Sequence, residues 1–221
     1  MKKLAIVLGL SLSAAMFSQA SMAFGLPKIP GIGGSASATP AVDVDGFMVK
    51  ASETNMLFQQ SALLLTAFLG DKAKTAELQT KLNAIQTIAD PKERAAQMNA
   101  TFSASKLVVE ETLNNTTQAA ENLNQAQGDQ RQKIINAAFN FALGVIQAKD
   151  LVPSGQNAIA SIQSNPMQAA KLVGLKNTVG DLTGIVGNST LALTTVPSLF
   201  KQAKIDAPMP TSVSDKPVDF Q

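Results

Sequence analysis

Between residues 54 and 70 the chain places Met56, Leu57, Phe58, Ala62, Leu63, Leu64, Leu65, Ala67, Phe68 and Leu69. At 100° per residue these cover nearly the whole circumference of a helix. A helix apolar on all sides is buried centrally or enters a membrane. This one is expected to begin near Asp43 or Asp45 and to end at Gly70, as the left-handed residue that often follows a helix. Residues 71–89 differ. There Leu78, Leu82, Ile85 and Ile88 make one narrow stripe among Lys72, Lys74, Glu77 and Lys81, the pattern of a surface helix.

Asp90-Pro91, with Glu93 three residues on, is a helix start: an N-cap, a proline at the first position and a capping-box acid. The helix it opens is expected to run to about residue 127, roughly 50 Å at 1.5 Å per residue. Its seam of Phe102, Val109, Leu113, Ala120 and Leu123 is thin. The rest is rich in amides and hydroxyls, from Asn114, Asn115, Thr116 and Thr117 to Asn122 and Gln125.

Gly128-Asp129 marks a break, after which Ile135, Ala138, Phe139, Ala142 and Ile146 centre a broad apolar face widened by Phe141, Leu143 and Val145. A short segment from Pro153 to Gln163 follows. Asn165-Pro166 repeats the cap-and-proline signal and opens a last long helix, striped by Leu175, Val179, Leu182, Val186, Leu193 and Phe200, which Pro197 kinks or ends. Its Gly180, Gly184 and Gly187 share another side, suited to close packing on a second neighbour. No repeat of solenoid period is present.

These elements predict an all-α fold, an elongated helical bundle of about five to six helices over residues 43–206. Two flanks frame it. Residues 24–42 carry Pro27, Pro30, Gly31, Gly33, Gly34 and Pro40 and read as a flexible arm. Residues 207–221, broken by Pro208, Pro210 and Pro217, read as a disordered polar tail.

The start of the chain is a secretory leader in pattern: Lys2 and Lys3, an apolar run, then Ser21-Met22-Ala23. Cleavage is expected between Ala23 and Phe24, with Ala20 as the alternative site. The run is too short for a membrane anchor. An exported chain, periplasmic or extracellular, is the expectation. It has no Cys, hence neither a lipoprotein thioether nor disulfides, and its core must hold it alone.

Composition then narrows the chemistry. The chain has no His, Cys, Trp or Tyr, which removes the usual nucleophile–base pairs, nearly all zinc sites and the rings that stack on sugars and bases. Once Lys2 and Lys3 leave with the leader, 16 basic residues balance 16 acidic ones, and Arg94 and Arg131 are the only arginines. Nucleic acid is a poor partner for such a surface.

Three remaining arrangements are weak. Ser103-Ala104-Ser105-Lys106 has the S-x-x-K form of penicillin-binding enzymes, but Lys74-Thr75-Ala76 and Ser214-Asp215-Lys216 fail as its companions, so a solvated helix turn is expected. Asp43-Val44-Asp45-Gly46 begins like a calcium loop but lacks the later ligands, so the aspartates are expected to cap a helix. Glu110, Glu111 and Glu121 do not converge, because neighbours on a helix point about 100° apart. No glycine loop precedes a strand–helix unit. Catalysis, metal and cofactor are therefore not expected.

The positive signal is three stretches without charge: 54–70, 134–148 and 182–200. Core packing is the simpler account. The alternative is a surface for an apolar ligand or a membrane, made by Phe58, Leu64, Phe68, Phe139, Phe141, Leu193 and Phe200. Against a constitutive membrane protein stands the absence of Trp and Tyr. The expected role is binding or assembly with a protein partner or with itself, along the amide-rich face of helix 91–127. The alternative role is a lipid- or membrane-interacting protein that exposes the three charge-free helices.

Overall fold

The computed structural model describes residues 43–163 and 166–220. A division of the chain falls after Thr39, so the described residues belong to one unit. The expected leader with its Ala23–Phe24 cut and the arm at 24–42 lie outside them.

The described chain is all-α, with helices α1 (Val44–Leu69), α2 (Lys72–Gln86), α3 (Pro91–Asn114), α4 (Thr116–Gln125), α5 (Gly128–Gln163), α6 (Leu172–Gly187) and α7 (Val196–Gln202). A 3-10 turn at Pro166–Lys171 leads into α6, and a π turn at Leu191–Thr195 leads into α7. The apolar-all-round helix takes the centre as expected. α1 packs against α2, α3, α4, α5 and α6. Burial from Ser61 through Ala67 is continuous because neighbours meet every side of it.

Local chemistry starts these helices where the side chains specify. Asp43 accepts from the Gly46 amide at 2.9 Å, and Asp71 accepts from Ala73 and Lys74. Asp90 accepts from Lys92 and Glu93, both at 2.8 Å. Arg94 closes the end of α2 by donating to the carbonyls of Ile88 and Ala89. Each cap satisfies backbone groups that a helix end would leave bare.

Several expectations are corrected. Gly70 is not left-handed: its φ is −78°. Crowding requires the glycine instead, since a Cβ there would lie 2.7 Å from the Thr66 carbonyl oxygen and 2.9 Å from Thr112 Oγ1. The helix expected over 91–127 is two helices, because Asn115 leaves helical geometry and caps α4 with its own side chain, accepting from Gln118. Pro153 does not begin a new segment. It sits exposed inside α5, where the carbonyl it deprives of a partner can be hydrated.

The last helix is divided as well. Asn188 N–H turns back to Ile185 in a tighter bond, and Val196 N–H reaches Leu191 in a wider one. Counting 100° per residue fails across both. Ala192 is therefore inside, and Leu193 is 42% exposed.

Gly180, Gly184 and Gly187 are exposed, and a Cβ on any of them would meet nothing within 4 Å among the described residues, so the expected close packing is absent there. Helical glycine without a steric reason costs about 1 kcal/mol against alanine. Gly184→Ala is accordingly expected to raise stability by about 1 kcal/mol, read as a higher urea midpoint at unchanged slope.

The tail lies against the bundle rather than apart from it. Residues 205–220 follow its surface: Ile205, Ala207 and Phe220 pack on the core, and Pro210 is buried. Asparagines on α5 hold its far end by the backbone, a device that composition alone does not reveal.

Candidate functional site

The residues named for an apolar surface separate in the fold. Phe58, Leu64, Phe141 and Phe200 are buried in the core, and Phe68 packs against it while partly exposed. Phe139 is half-buried, and Leu193 is exposed. Phe58 joins two of the aromatic contacts: its ring stacks on Phe141 with centroids 4.9 Å apart and meets Phe102 edge-on at 5.9 Å. The seven residues thus form no common surface. No described helix is long and apolar enough to cross a membrane.

The polar candidates are equally dispersed. Ser103 and Lys106 are exposed on α3. Asp43 is a cap, and Asp45 pairs with Lys171 at 2.7 Å. Glu111 pairs with Lys74 at 2.6 Å, while Glu121 lies on α4. The Glu111 carboxylate, hydrogen-bonded to the Lys74 ammonium, holds that lysine above its ordinary pKa. Lys81, 2.8 Å away, lowers Glu77 below the usual carboxylate value by the same kind of bond. The Lys74 contribution is therefore complete below the usual lysine pKa and lost as pH rises through the raised value. That of Glu77 is complete above the usual carboxylate pKa and lost as pH falls through the lowered one. Both pairs are exposed and hold surface geometry only.

The amide-rich face, expected to meet a partner, is partly consumed by structure. Asn115 caps α4, Asn114 donates to the Glu110 carbonyl, and Asn122 is turned inward to the end of α1. Thr117, Glu121, Asn124, Gln125 and Gln127 of the later stretch remain exposed, as do Asn114 and Asn115. A shallow apolar groove of about 510 Å³ lies between α2 and α3, with Ala84, Ile85, Ile88 and Ala104 in its walls. Leu107, 79% exposed, stands one turn beyond it.

The arrangement with the most definite geometry is on α5. Asn140 has 0% exposure, between Phe139 and Phe141 in a stretch without charged side chains. Its Nδ2 donates to the Val218 carbonyl at 2.7 Å, and its Oδ1 accepts from the Val218 amide at 2.9 Å. One turn earlier, Asn136 Nδ2 donates to the Asp219 carbonyl, while Gln132 donates to Asn136 Oδ1 and orients it.

Compared with protein-family models, curated proteins and solved structures, the chain shows no match. The reading of this site rests on its geometry.

A primary amide that donates to and accepts from the same residue reproduces the pairing of a neighbouring β-strand. It reads backbone and is indifferent to the side chain at 218. The residue was missed in the sequence although a signal existed: an amide set between two phenylalanines, with alanines on either side, needs a buried partner.

Proposed function

We propose that this chain is an exported, non-catalytic helical-bundle protein that acts by binding or assembly, engaging polypeptide in extended form along α5. The observation that carries the reading is the Asn140 amide, fully buried and closed in both directions on the backbone of Val218. Such a contact is the means by which extended peptides are held on sheet edges, here supplied by a side chain on a helix. A lipid-coating role would require α1 and α5 to part, because Phe58 and Phe141 stack between them. Polypeptide binding requires only that residues 205–220 yield their place.

Because the chain lacks cysteine, Val213→Cys gives a single dye position on the exposed part of the tail. Adding a synthetic peptide of residues 207–221 to the full-length labelled chain is expected to release the tail and lower the dye's anisotropy. Half-release is expected in the millimolar range, since a tethered segment competes at about millimolar effective concentration. The same peptide N-methylated at the residue matching Val218 has no amide hydrogen to offer Asn140 and should be much weaker. Unchanged anisotropy at peptide concentrations well above that range would refute the reading.

A further inference from the structure

We infer that the segment 205–220 exchanges between two copies of this chain, Val218 of one copy closing on Asn140 of the other. The inference rests on the reading above and names the partner as a second copy.

The hinge is the first ground. α7 ends in a Schellman turn: Ile205 N–H bonds to the Phe200 carbonyl and Lys204 N–H to that of Lys201. That turn puts its pivot residue in the left-handed region, where glycine is the usual occupant. Here it is Lys204, at φ 54°, the only described non-glycine residue with positive φ. A side chain there is strained. Extending the hinge relieves the strain, and the groups of Lys201 and Lys204 that it frees face water, both residues being exposed.

The segment itself is the second ground. Pro208, Pro210 and Pro217 fix φ at three positions on either side of the Ser212–Asp215 turn, so less entropy is lost when the segment docks. Asp215 N–H closes that turn on the Ser212 carbonyl, so the segment docks as a shaped piece and the crossing between bundles falls to the hinge at Lys204. The acceptor is the third ground. A second copy presents the same Asn136 and Asn140 and meets the same backbone and the same Phe220, so exchange leaves every docking contact in place. The balance between closed and exchanged forms then depends on hinge strain against the entropy of association.

The test uses full-length chains. One preparation carries a donor dye at Gln130→Cys on α5, the other an acceptor at Val213→Cys. Mixing is expected to produce energy transfer that grows with protein concentration, together with a species of twice the chain mass in sedimentation. Lys204→Gly removes the hinge strain of the closed form, worth roughly fivefold at each hinge, and should weaken association by about 25-fold over two hinges. Asn140→Leu should abolish transfer while helical circular dichroism is kept. If Asn140→Leu does not fold, the glycine variant decides alone, and undiminished association in it overturns the proposal. Transfer that persists in folded Asn140→Leu overturns it too, as does monomer mass without transfer at millimolar protein. Tail release by peptide without exchange between chains would sink this inference alone. Failure of both would remove the binding reading with it.

Discussion

Truncation of Phe141 to alanine is expected to lower the unfolding free energy by about 3–5 kcal/mol. The ring is 1% exposed, lies on the inner side of α5 and stacks on Phe58 of α1 with an interplanar angle of 25°. Its removal forfeits the transfer energy of a buried aromatic and leaves a cavity that two long helices cannot close by local shifts. A domain of this size is stable by about 5–15 kcal/mol, so the loss is a large share of the total. Urea unfolding followed by far-ultraviolet circular dichroism measures it. Phe139→Ala serves as the internal comparison, because that neighbouring ring is only half-buried and should cost less. Equal losses at the two positions would contradict the assignment of Phe141 to the α1–α5 interface.

Asn122→Leu is expected to cost about 2–4 kcal/mol, although leucine is similar in size and more apolar. The Asn122 amide donates to the carbonyls of Leu69 and Gly70, both at 2.9 Å, and so closes the end of α1 where α2 departs. Leucine cannot donate, and it leaves these carbonyl oxygens without the partners that their burial requires. Asn122→Asp sharpens the test. An ionised carboxylate facing two carbonyls is repelled by both, so its pKa in the folded state is raised and protonation restores a donor. Asn122→Asp should therefore be more damaging at neutral pH than in acid, where it should approach the wild type. A loss independent of pH would show that Asn122 contributes packing rather than hydrogen bonds.

Much of the helical plan was legible because it is local. Asp43 and Asp90 announce helix starts by chemistry that acts within three residues, and the circumferential burial of α1 follows from a count of apolar positions. The breaks were less legible. Asn115 offers the same capping chemistry, but it lies in a run where several amides are equally eligible, and only the fold selects one. Pro153 suggests a boundary, yet the helix continues because the lost bond is on the wet side and Gly155 packs beyond it on Phe47 and Val179.

The candidate site was the least legible part. The polar, proline-broken composition of residues 207–221 describes a segment unable to form a core of its own. It carries no information about a receptor placed some 80 residues earlier: Asn140 and Val218 are 78 apart in sequence. Each half looks unremarkable alone, and the pairing is visible only when α5 and the tail are seen side by side.

Gly144 brings α5 against α1 so closely that an added Cβ would lie 3.1–3.3 Å from the Phe58 backbone and Cβ. The approach is one point on a long antiparallel seam: Thr54 of α1 donates to Gln147, and Gly155 packs on Phe47. Held at several points, α5 cannot pivot about any one of them, so a side chain added at Gly144 must wedge the two longest helices apart along their length.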